Sequence, residues 1–303
     1  MTGSAFHPDL RRVAAVLPRR AVGPRMLPVV RALRGVERLR RPGPGVAVEA
    51  LGPISVRVHR PPSRATAPYP AVLWIHGGGY VIGSAAQDDA VCRHLAHELG
   101  ALVAAVDYRL APEHPFPVPL HDCHDALVWL ANRGDVDADR VAIGGASAGG
   151  GLAAALALLA RDRAEVRPAF QLLSYPMLDD RTALRTDIDE RHFRLWNNAG
   201  NRFGWRSYTG QEPGSAGVDP LAAPARVEDL TGLPPAWIGV GDLDLFLDED
   251  LAYADRLREA GVPCTVEVVE GAFHGFDSIR PGAAVTRRFR DAQVDALAPL
   301  LVR

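Results

Sequence analysis

The chain contains no lysine: all 34 basic residues are arginine, set against 36 Asp+Glu, for a formal charge of -2 over 303 residues. A Schiff-base or pyridoxal lysine, a Ser–Lys dyad and a Walker-type phosphate lysine are therefore excluded. Cysteine is scarce too. Cys92, Cys123 and Cys264 are odd in number and widely spaced, which argues against a disulfide framework and for a reducing, cytoplasmic setting. No apolar run approaches the roughly 20 residues that span a bilayer. The longest, 149–160, is about half that, and Asp9, Arg11 and Arg12 stand where a signal peptide carries its apolar region. No stable membrane anchor is expected, and the near-zero net charge gives no reason for a nucleic-acid partner.

What is present suits a large globular core. Hydrophobic residues make up 48% and charged residues 23%, too apolar a mixture for a disordered chain. Charge is unevenly placed, however. Residues 1–41 hold ten arginines against Asp9 and Glu37, so the N-terminal segment is basic and the remainder acidic. Leu27, Val30 and Leu33 recur at helical spacing there, and Pro18, Pro24 and Pro28 divide the segment into short helices. Residues 1–45 read as a helical cap segment ahead of a catalytic domain over 46–303. The bland form of that reading has arginines facing solvent; a contact with anionic membranes is the rival.

From Val46 the period changes to two. Residues 46–49 and 54–59 alternate about a Gly52-Pro53 turn and predict an antiparallel hairpin. Continuous apolar runs at 71–75 and 102–106 predict strands buried on both faces, continued at 141–143, 170–173, 236–240 and 265–269. Helical patterns at 120–131, 148–160, 247–260 and 284–301 lie between or after them. Such alternation predicts an α/β fold with a mostly parallel sheet flanked by helices. Residues 179–224 interrupt the alternation with Phe193, Trp196, Phe203, Trp205 and Tyr208 in a polar context, and read as a cap or lid insertion.

Chemistry is concentrated in three places. Gly145-Ala146-Ser147-Ala148-Gly149 stands between a predicted strand and a predicted helix, where small residues allow a turn tight enough to raise a nucleophilic serine above the sheet. The helix beginning there offers the Ala148 N–H to a developing oxyanion. His76-Gly77-Gly78-Gly79 follows the strand at 71–75, and its bare backbone is suited to donate further N–H groups. A serine needs a base, and in the order Ser, acid, His only His274 lies C-terminal to His192. The acid belongs after the strand at 236–240, where spacing leaves Asp242 and Asp244 both open. Asp248, Glu249 and Asp250 are expected to cap and charge the next helix.

These motifs, with Asp107-Tyr108-Arg109-Leu110-Ala111-Pro112-Glu113 and Leu233-Pro234-Pro235, resemble the hormone-sensitive-lipase-like group of α/β-hydrolase carboxylesterases over roughly residues 45–280. The resemblance implies Asp244 as the acid and Gly78, Gly79 and Ala148 as oxyanion donors. It implies an α/β-hydrolase fold with a helical cap, and a serine esterase without cofactor or metal, acting on small esters of short to medium acyl chains or aryl alcohols. Leu245 departs from that group's proline after the acid, and Ala146 from its usual Asp or Thr. An amidase, a lactonase, a deacetylase or a non-catalytic ligand receptor on the same fold are the rival readings. His121-Asp122-Cys123-His124 fits no tetrahedral metal pattern, with Cys123 on the apolar helix face. Arg109 and Glu113 are expected to pair with each other, and the strand at 265–269 to serve as a possible homodimer edge.

Overall fold

The computed structural model describes residues 5–19, 23–38, 42–62 and 65–301. Eight strands form one sheet: β1 (Val46–Leu51), β2 (Ile54–His59), β3 (Tyr69–Ile75), β4 (Leu102–Asp107), β5 (Val136–Ala146), β6 (Phe170–Ser174), β7 (Ala236–Leu243) and β8 (Cys264–Phe273). Their order is β1-β2-β4-β3-β5-β6-β7-β8. The predicted hairpin is β1–β2, which joins the sheet antiparallel to β4, while all the other pairings are parallel. β5 begins at Val136, earlier than the apolar run at 141–143 suggests. Its first residues include Asp137 and Arg140, which pair at 2.7 Å and mask the strand in the sequence.

The parallel strands are covered on both faces, as their unbroken apolar runs require. Along β3, Leu73 and Ile75 face one core cluster with α4 (Val118–Ala131), α5 (Ala148–Arg163) and α7 (Leu247–Glu259). Val72 and Trp74 face the other, formed with α3 (Asp89–Leu99), α8 (Phe276–Ile279) and α9 (Ala284–Leu301). Period-two alternation thus sorts one strand between two layers. α5 is buried all round from Ala148 to Ala160, which explains why it is the most apolar run in the chain.

The basic N-terminal segment holds two short helices, here α1 (Arg11–Ala14) and α2 (Leu27–Arg38). Between β6 and β7 the interrupting section carries short 3-10 turns and α6 (Asn198–Thr209), whose Asn197 side chain accepts from Gly200 N at 3.1 Å. Among the described residues no helix is long and apolar enough to cross a membrane. β8 forms one edge of the sheet, opposite β1, with Val268 46% exposed.

Candidate active site

The carboxyl ends of β3, β5, β6 and β8 converge on one cavity of about 200 Å³. Ser147 leaves β5 with φ 57° and ψ -122°, in a turn that lifts its side chain out of the sheet before α5 starts. The turn is wedged against β3. A Cβ on Gly145 would meet the Ile75 carbonyl oxygen at 2.5 Å, and one on Gly149 would overlap the carbonyls of both Ile75 and His76. Glycine at those two positions is a packing requirement imposed by backbone, which has nowhere to move. The Ser147 carbonyl accepts from Gly151 N and Met177 N, both at 3.0 Å, and its own N–H donates to Ser174 O at 2.9 Å.

The Ser147 hydroxyl lies 2.9 Å from His274 Nε2, and His274 Nδ1 lies 2.8 Å from Asp244 Oδ2. A carboxylate only accepts, so Nδ1 carries the ring proton and Nε2 is free to accept from Ser147 Oγ. The other Asp244 oxygen accepts from Phe246 N at 3.0 Å, which fixes the carboxylate's rotation. Asp242, the alternative that spacing left open, is turned away: it accepts from Gly271 N at 2.6 Å. Tyr175 and Phe246 stand edge-on to the imidazole at 5.0 and 5.3 Å between centroids. Tyr175 is itself held by its hydroxyl, which donates to Asp277 at 2.6 Å.

Across the cavity, Gly78 and Gly79 have φ of 129° and 59°, the region that favours glycine. The loop is fixed from behind, since Gly77 O accepts from Gln87 Nε2 and Gly78 O from Val81 N and Ile82 N. Among the described residues, the N–H groups of Gly78, Gly79 and Ala148 have no acceptor within the chain. All three residues lie beside Ser147 in chain or in space: Gly78 and Gly79 line its cavity, and Ala148 follows it. His76 is fully buried and stacks on Tyr108 at 4.2 Å, a packing role at the loop's root.

Two expectations need correction. Arg109 and Glu113 do not pair: Arg109 is bidentate to Asp122, and Glu113 is bound by Arg31 at 2.7 Å. Their partners come from α4 and α2, distances along the chain that spacing could not reveal. Asp248, Glu249 and Asp250 lie in the first turn of α7 but give no side-chain cap. Asp248 pairs with Arg185, and Glu249 reaches back to accept from Leu178 N and Asp179 N. In the histidine-rich stretch, Asp122 is taken by Arg109, Cys123 is core, and His124 accepts from Arg163 at 3.1 Å.

Residues 72–278 match the family described as alpha/beta hydrolase fold, which is well over half of the chain. The chain belongs to this family. Its motifs place it in the hormone-sensitive-lipase-like group they resemble. It is 37% identical over 229 residues to Esterase LipI of Mycobacterium tuberculosis, covering 74% of this chain and 71% of that one. An Arylesterase of Saccharolobus solfataricus is 35% identical, with coverage of 74% and 72%. Among solved structures, one described as a bacterial heroin esterase superposes with a TM-score of 0.88 at 36% identity, covering 99% of both chains.

Trp196, like Tyr175 and Leu195, is a site residue whose placement the sequence did not disclose. The interrupting section marks it only as one of five aromatics. In the fold its benzo edge rests on Gly79, and its ring lies 6.3 Å from that of His274. No sequence signal brings it to the site, because Gly79 and His274 are each more than 70 residues away, in opposite directions.

Proposed function

We propose that this enzyme, a carboxylic ester hydrolase, works through a covalent acyl-serine. Ser147 Oγ attacks the ester carbonyl carbon while its proton passes to His274 Nε2. Asp244 keeps the imidazole in the accepting tautomer and stabilises the imidazolium that forms. The carbonyl oxygen, now negative, takes hydrogen bonds from the Gly78, Gly79 and Ala148 N–H groups, which need no reorganisation to receive it. The intermediate collapses, the C–O bond to the alcohol breaks, and the alkoxide leaves with the proton from His274. Water then repeats the sequence on the acyl-enzyme and releases the acid. The step needs neither metal nor cofactor.

The continuous hydrogen-bonded run Ser147–His274–Asp244, facing three unsatisfied N–H groups across one cavity, supports this reading most strongly. It also weighs against a non-catalytic receptor, which needs the cavity but no base. Small esters of short to medium acyl chains or of aryl alcohols fit the relatives named esterase and arylesterase. Ser147→Ala should lower kcat/KM for p-nitrophenyl acetate on the order of 10⁶-fold and abolish labelling by a phosphonate. Near-normal turnover by the variant would sink the assignment.

Residues 1–45 and 179–224 act together, in this reading, as one cap over the cavity. Leu195 N donates to Pro18 O at 2.8 Å, and Arg194 Nε to Ala14 O at 2.6 Å, so the two segments are tied to each other. Residues 1–4, 20–22 and 39–41 lie outside those described. We place the enzyme in the cytoplasm, in keeping with three free thiols. The exposed edge of β8 offers a second copy a pairing surface; light scattering of the intact chain measures that association.

A further inference from the structure

We propose that Trp196 sets the length of acyl chain this enzyme accepts, and that the N-terminal segment holds it in position. The idea rests on the acyl-serine chemistry above and adds the group that limits its substrate.

The cavity at Ser147 measures about 200 Å³, below the roughly 300–1,000 Å³ typical of sites for drug-sized ligands. Leu195 and Trp196 form its roof. The ester's orientation in it follows from the chemistry. Its carbonyl oxygen must lie at the Gly78, Gly79 and Ala148 N–H groups, and its alcohol oxygen must reach His274 Nε2. The acyl substituent is then directed to the remaining side, past the oxyanion loop and towards α6. Trp196 closes that side. Its Cζ2 and Cζ3 would stand 3.0 Å from a Cβ placed on Gly79, and its Cη2 3.5 Å from one on Gly204 of α6. Met177 Cε is equally near Gly204, so the outer edge of the indole meets an apolar side chain beside the Gly79 carbonyl. Leu195 instead borders Gly275, beside the base and hence beside the alcohol.

The roof is held under strain. Leu195 has φ 66°, a left-handed conformation that disfavours a non-glycine residue and persists only when its surroundings impose it. Here the N-terminal segment imposes it. Leu195 N donates to Pro18 O, and Arg194 donates to the carbonyls of Ala14 and Phe193. The Arg194 guanidinium also lies 4.7 Å over the Phe6 ring. Phe6 is packed edge-on against His192 and Phe273 in turn. Arg194 is thus a positioning residue for Trp196.

The test is a p-nitrophenyl ester series from acetate to decanoate, with the octanoate-to-butyrate ratio of kcat/KM as the readout. Trp196→Ala should raise that ratio at least about tenfold. Trp196→Phe should raise it less, and Arg194→Ala in the same direction through a displaced indole. Arg185→Ala, in the same section but paired outward to Asp187 and Asp248, should leave the ratio alone. A parallel series of acetates of growing alcohols should be little altered by Trp196→Ala. Phosphonate titration counts reactive serines in every protein. If folded Trp196→Ala and Trp196→Phe label fully yet keep the parental ratio, or change only the alcohol series, the role of Trp196 is overturned while the esterase reading stands. If the parent enzyme itself does not label, it is the esterase reading that fails.

Discussion

Asp242 lies at the end of β7 and Asp244 just beyond it, two positions on, yet only one of them can orient a base. The Asp244 carboxylate has one oxygen on His274 Nδ1 and the other on the Phe246 amide, so both rotation and tautomer are fixed. Asp244→Asn keeps the shape but can present an N–H to Nδ1, favouring the tautomer that leaves Nε2 protonated. We expect kcat to fall about 10⁴-fold, with KM for a short ester changed far less. Steady-state kinetics decides this, and an equal loss in Asp242→Asn would overturn the distinction between the two. Ser147 and His274 could be named from the chain, because order leaves one histidine and context one serine. The acid could not be named from spacing alone. Loop path decides which carboxylate faces the ring, and that path is set by the β7–β8 register shift between Gly241 and Leu243.

The elbow joins β5 to α5 by pressing against β3, and its tolerance is therefore set by a neighbouring element. Gly149→Ala places a methyl into the Ile75 and His76 carbonyls. Backbone on both sides leaves no side chain to move, so destabilisation of about 1–3 kcal/mol or more is expected. Urea unfolding measures it, and a midpoint unchanged from the parent would show that β3 can give way. The same displacement should move Gly78 and Gly79 relative to Ser147, lowering kcat together with stability. Many of the elements were readable from periodicity, including the hairpin, the buried strands and α9, whereas α3 and α6 were not. β5 was readable only in part, because the polar residues at its start hide a strand that pairing with Tyr69 nevertheless extends.

At the scale of the whole molecule, folding has trapped acidic groups away from water. Glu249 is buried between α7 and the chain after β6, and burial pushes its carboxyl up to about 8 despite hydrogen bonds from Leu178, Asp179 and Thr182. Asp250, also fully buried, is driven up by desolvation and by Glu249 and Asp244. An acid whose pKa is raised on folding binds its proton more tightly in the native state. Its contribution to stability is complete below the ordinary carboxylate range and is lost as pH rises towards about 8. Tm should accordingly decline from pH 5 to pH 9. Glu249→Gln, which keeps the acceptor for Leu178 and Asp179, should decline less, and parallel curves from scanning calorimetry would refute the assignment. The absence of lysine, the βαβ alternation, the serine elbow, the glycine loop and the sole eligible histidine were all determined by the sequence itself, because each depends on residue type, local spacing or chain order. The choice of Asp244, the Arg109–Asp122 and Arg31–Glu113 pairs, the buried Glu249 and the indole over Gly79 were decided by the tertiary structure. Those contacts join residues distant in the chain, and a pairing across such distances exists only once the sheet and its helices have been packed.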